Sequence, residues 1–101
     1  MIAMYSILTT SLFDDWFAGL KDRLVKQRIQ ARIDRVEDGN LGDHKTVGDG
    51  VSEMRLSFGA GWRIYYTMRG LEIVVLLVGG DKSSQQSDIE LAKALAKQLK
   101  E

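Results

Sequence analysis

Arg55, Arg63 and Tyr65 carry the first sign of chemistry in this chain. They alternate with apolar residues in two consecutive strand-forming runs, so they share one face of a sheet. An arginine stays charged and presents a fork that matches two phosphate oxygens, and a tyrosine adds an aromatic surface. Lys82 follows the next strand, and His44 with Lys45 stands just before the first. The same pattern also fits a solvated face on which Arg55 pairs with Glu53 or Glu72. A lone histidine and lysine in a glycine-rich loop fit simple solvation equally well. Lysine and serine after glycines (Gly79-Gly80-Asp81-Lys82-Ser83) lack the spacing of a phosphate-binding loop. Gly59-x-Gly61 lies between strands, which rules out a dinucleotide fingerprint.

The elements that must position these residues centre on Val51 to Lys82, three strand-forming runs separated by glycine turns. A three-residue loop at Gly59-Ala60-Gly61 pairs Leu56 with Ile64 and Met54 with Tyr66, and sets Arg55 opposite Tyr65. A two-residue turn at Arg69-Gly70 pairs Met68 with Leu71, Tyr66 with Ile73, Ile64 with Val75 and Trp62 with Leu77. One face is then apolar throughout. The third run also has apolar Val74, Leu76 and Val78 on its other side, which predicts a central strand. Before the meander, Met4–Thr9 reads as a strand. Ser11 starts a helix carrying the stripe Phe13, Trp16, Phe17 and Leu20, a core pattern. A second helix, Asp22 to Asp38, buries Leu24, Val25, Ile29, Ile33 and Val36 and shows Arg28, Arg32 and Arg35 on another side. Gly39 to Gly50 reads as loop. Ser83 or Ser84 caps a last helix to about Lys100, with Ile89, Ala92, Leu95, Ala96 and Leu99 inward. The 101 residues form a single α+β domain, with order β-α-α-β-β-β-α.

Composition narrows the function. The chain has no cysteine and one histidine, which excludes disulfides, zinc-thiolate sites and histidine-rich metal centres. No apolar run is long enough to span a bilayer and the N-terminal stretch lacks a basic signal-peptide region, so a cytoplasmic protein is expected. Net charge is zero, yet Lys21 to Arg35 holds six basic residues against two acidic ones, a local +4 balanced by −4 elsewhere. A zero total weakens any claim of non-specific nucleic-acid binding, though such a segment can still track phosphates.

In several blocks the sequence resembles the RelE/ParE superfamily of toxin–antitoxin toxins, in its HigB-like "addiction module killer protein" branch. These blocks are Leu20-Lys21-Asp22, Arg28 to Ile33, Gly39 to Lys45, Glu53-Met54-Arg55, Gly59 to Tyr66, and Gly79 to Gln85 with Asp88-Ile89. The resemblance runs from about Phe13 to Ala94. It implies a RelE-like α+β fold: an antiparallel sheet, a helical hairpin on one side and a C-terminal helix. It also implies a type II toxin that cleaves mRNA, usually on the ribosome, without a metal or other cofactor. Its partner would be a cognate antitoxin, helix-turn-helix and HigA-like, with operator DNA reached only through that antitoxin. ParE-type members share the fold and instead inhibit DNA gyrase without catalysis. Carried over by position, the catalytic cations are Lys45, Arg63 and Lys82, and Arg55, Tyr65 and His44 contact RNA. The final helix lacks the tyrosine or histidine that cleaving members often carry there, which leaves Tyr65 as the candidate base-stacking or proton-transfer group.

Those residue types suit the reaction. Metal-free cleavage needs a base for the 2′ proton, an acid for the 5′ oxygen and cations for the extra phosphorane charge. A lysine serves as base when like charges crowd it, as a carboxylate-poor cluster of Arg55, Arg63 and Lys82 would.

Overall fold

The computed structural model describes residues 4–99. Its elements are β1 (Ser6–Thr9), α1 (Ser11–Ala18), α2 (Arg23–Glu37), β2 (His44–Gly48), β3 (Val51–Arg55), β4 (Arg63–Arg69), β5 (Ile73–Gly80), a 3-10 turn (Lys82–Ser84) and α3 (Gln85–Leu99). One sheet has the order β1-β5-β4-β3-β2. It is mixed rather than antiparallel throughout, because β1 runs parallel to β5. The stretch expected to be loop holds a strand, β2, which pairs antiparallel with β3 as His44↔Met54 and Lys45↔Glu53. Its four glycines masked a short, exposed edge strand whose side chains carry no apolar alternation.

Both helix boundaries in the first half have a chemical cause. Thr10, not Ser11, caps α1, accepting the Phe13 amide at 3.0 Å while its hydroxyl donates to the Leu77 carbonyl. Asp22 caps α2 through the Leu24 amide at 2.9 Å. The helices α1 and α2 lie on one face of the sheet, where Phe13, Val25, Ile29, Ile33 and Val36 meet Met54, Leu56, Ile64, Tyr66, Val74 and Leu76. Trp16, Phe17, Leu20 and Trp62 pack against that core, as their spacing predicts. Leu24, expected inside, is exposed. On the opposite face α3 lays Ala92 and Ala96 against Val51, Tyr65, Val75, Leu77 and Val78, with Ile89 and Leu95 flanking. Small residues at the contact let this helix approach the sheet closely.

Two registers differ from expectation. The β3–β4 loop is wider, so Met54 faces Ile64 and Arg55 faces Arg63, a shift of two residues that preserves the faces. In the second hairpin Met68 pairs with Val74 and Tyr66 with Leu76, with an irregularity between Tyr65 and Tyr66. That slip is odd-numbered, so β5 is turned over: Val75 and Leu77 face α3, while Val74 and Leu76 face α1 and α2. Apolar residues on both sides of β5 left its orientation open to the pattern. Leu71, expected opposite Met68, is exposed in the turn.

Candidate functional site

The sheet face under α3 changes character along its length. Ala92 and Ala96 cover its middle, but beyond the N-terminal end of α3 the polar positions of β2, β3 and β4 emerge. Here Arg55 and Arg63 stand directly opposite each other on adjacent strands. Like charges in that arrangement cost stability. Both line an open cleft of about 400 Å³ with Lys82, Asp43, Ser57 and Trp62.

Each cation is held by a different device. Arg55 Nη2 lies 3.2 Å from Asp43 Oδ1, not against Glu53 or Glu72. Arg63 is nearly buried, with its Nη1 donating to the Gly61 carbonyl at 2.7 Å and its Nε 3.7 Å from Glu53 Oε2. Gly61 has φ +75°, and a Cβ there would meet Lys82 Cβ at 3.2 Å and Arg63 Nη1 at 3.3 Å. A side chain at this position would be strained and would push both cations aside. The Lys82 amide donates to the Ala60 carbonyl at 3.2 Å, tying the turn after β5 to the β3–β4 loop. Asp81 caps that turn, and its bonds from Ser83 hold the carboxyl below the usual range.

Beneath the cations lies Glu53, whose side chain is fully buried. Its Oε2 accepts from Gln85 Nε2 of α3 at 3.2 Å, and its Oε1 lies 4.0 Å from Lys45 Nζ on β2. Sequence reasoning missed this carboxylate as a site residue; the signal was its alternation with Arg55, which puts both on the polar face. The cluster is therefore not carboxylate-poor, and the crowding of positive charge that a lysine base requires is offset by Glu53 and Asp43.

Arg55, Arg63 and Lys82 thus come together in one cleft, and Lys45 joins through Glu53. Tyr65 does not reach the surface: it pairs with Glu53 under α3 and is fully buried, with its hydroxyl unpartnered. Burial, reinforced by the Glu53 carboxylate, pushes its phenol up. Exposure to RNA was inferred from alternation, and α3 removes it. His44 is on the other side of the pleat, since it pairs with Met54 of the core, and its Nδ1 is 2.8 Å from the Gly42 carbonyl. Gly79 and Gly80 belong to β5, with no role in a phosphate loop. A Cβ on Gly79 would overlap the Trp16 ring, and one on Gly80 the Asp88 carboxylate. Arg32, expected on a solvated basic side, is 6% exposed. Burial, then neighbouring Arg35, lowers its pKa. Among the described residues no group of three or more histidine, aspartate or glutamate side chains is placed to hold a metal ion.

Fold and site together define a small α+β domain with a cationic cleft at one end of its sheet. Residues 15–100 match the family described as "Phage derived protein Gp49-like", and the chain belongs to it, a family of toxin-like proteins. An uncharacterized protein of Haemophilus influenzae is 47% identical over 93 residues, covering 92% of this chain and 94% of the relative. No helix among the described residues is long and apolar enough to cross a membrane.

Proposed function

We propose that this protein is the toxin of a type II toxin–antitoxin module and cleaves mRNA in the ribosomal A site without a metal. The observation that carries this reading is the opposition of Arg55 and Arg63 in one cleft with Lys82. Four cations, Lys45, Arg55, Arg63 and Lys82, stand against two carboxylates, Asp43 and Glu53, and a phosphate supplies further negative charge to them. In the reaction the 2′ oxygen attacks the adjacent phosphorus as its proton passes to solvent water in the open cleft, the P–O5′ bond breaks with protonation of the 5′ oxygen, and a cyclic phosphate and a 5′ hydroxyl remain. Arg63 and Lys82 take the charge of the phosphorane, as a metal ion would in other nucleases. Arg55, half-buried and ion-paired with Asp43, holds a flanking phosphate. Lys45, ion-paired to Glu53, gives a proton to the 5′ oxygen in this reading rather than taking one. Tyr65 has no part in proton transfer, because its burial under α3 keeps it from the substrate. A small helix-turn-helix antitoxin is the proposed partner, and co-purification from the intact operon tests it.

The test of the activity is the mapping of mRNA ends after induction. New ends within coding sequence, absent in Arg63→Ala, support the reading. Growth arrest with intact mRNA and inhibited gyrase would replace it with the non-catalytic alternative.

A further inference from the structure

A second cationic groove lies on the other face of the sheet. Arg28, Arg32 and Arg35 are spaced by four and three residues along α2, so they share one side of that helix. With Leu56, Ser57 and Phe58 they line a groove of about 280 Å³. The Arg28 guanidinium stacks over the Phe58 ring, 4.9 Å from its centroid. Arg32 donates to the carbonyls of Leu41, Asp43 and Arg55, so its bonds are satisfied while its charge meets no carboxylate among them. Exposed Arg28 and Arg35 form no ion pair among the described residues. The groove therefore carries three positive charges on a chain of zero net charge.

Leu56 and Ser57 line this groove and the cleft alike. Exposed Ser57, just past the end of β3, is a saddle between them. The one aromatic ring of the groove is already covered by Arg28, so the surface it offers is mainly guanidinium. Flat guanidinium groups on an extended path instead suit phosphates. We propose that a single RNA strand held in the cleft crosses Ser57 and lays its flanking phosphates on Arg28 and Arg35. The inference rests on the nuclease reading of the cleft and extends its substrate contacts to several nucleotides.

The test uses RNA with 2′-O-methyl groups, which cannot attack, as a trinucleotide and as a strand of about ten nucleotides. Binding is measured by fluorescence anisotropy across a salt series, for the wild type, the double variant Arg28→Gln/Arg35→Gln, each single variant, and Arg63→Ala. Circular dichroism checks folding, and the single variants serve if the double one unfolds. Each phosphate contact on a single strand contributes about 0.7 to the slope of log affinity against log salt. The double variant should flatten the slope of the longer strand by about 1.4, and a single variant by about half of that, with the trinucleotide unaffected. An unchanged slope on the longer strand overturns the proposal. If Arg63→Ala binds the trinucleotide as the wild type does, the cleft reading fails while the groove is judged on its own slope. Absence of wild-type binding to either RNA overturns both.

Discussion

Glu53 is the residue on which the site's electrostatics turn. A fully buried carboxylate touching cations from β2 and β4 is costly unless those partners stay in place. Its charge fixes Arg63 Nε and Lys45 Nζ, and it also cancels part of the field that attracts RNA. Glu53→Gln should therefore separate two properties. RNA should bind several-fold more tightly, because a negative charge under the cleft is gone. Cleavage at saturation should fall about tenfold or more, because both cations lose their anchor. Single-turnover kinetics at varied RNA concentration read the two effects apart. Equal losses in binding and rate, with a lowered melting temperature, would make Glu53 a structural residue alone. Its importance was hidden in the sequence because alternation gives a face but not what covers that face. Arg55, Arg63 and Lys82 were legible as cations on one side; the burial of Glu53 and Tyr65 depends on where α3 docks.

At the scale of elements, two contacts hold the frame of the cleft. The aromatic stripe of α1 lies against β5 where Trp16 covers Gly79, and Trp16 in turn meets Trp62 at 6.2 Å between ring centroids. Gly79→Ala should drive α1 off the sheet and lower stability by about 1–3 kcal/mol, read by chemical denaturation. An unchanged midpoint would mean that α1 re-seats without cost. From the other side of the sheet, Arg32 ties α2 to the turn before β2 through the Leu41 and Asp43 carbonyls, and to the end of β3 through that of Arg55. Arg32→Met keeps the apolar stem and leaves those carbonyls unsatisfied, so a loss of about 1–3 kcal/mol is expected, with Asp43 and Arg55 loosened in the cleft. Arg32→Lys should restore little, since one ammonium cannot span the fork's partners. Helices α1 and α2 were readable from their apolar stripes, although Thr10 rather than Ser11 caps the first. The orientation of β5 was not, because a strand apolar on both sides satisfies either register, and β2 was lost among glycines.

For the whole molecule, charge is divided rather than absent. Zero net charge coexists with a +4 segment on Lys21 to Arg35 and a cationic cleft on the opposite face of the sheet. That division places phosphate-binding surface on both sides of one sheet end, joined at Ser57, while the acidic remainder limits indiscriminate binding. The central claim is that Arg63 stabilises charge in cleavage, beyond its part in compensating buried Glu53. Its neighbours in sequence, Trp62 and Ile64, belong to the core, and Arg63 itself lies across the pleat from them. Arg63→Ala should still fold, with Lys45 and Gln85 remaining beside Glu53, but with lowered stability, because the buried carboxylate loses one of its two cations. Cleavage should fall about 10²- to 10³-fold, as when a donor to developing negative charge is removed. The most direct measurement is mapping of mRNA 5′ ends after matched induction of the wild type and Arg63→Ala. Discrete new ends with the wild type, reduced at least about a hundredfold in the folded variant, are predicted. Equal cutting by both proteins, or growth arrest by the wild type with every transcript intact, would contradict the account.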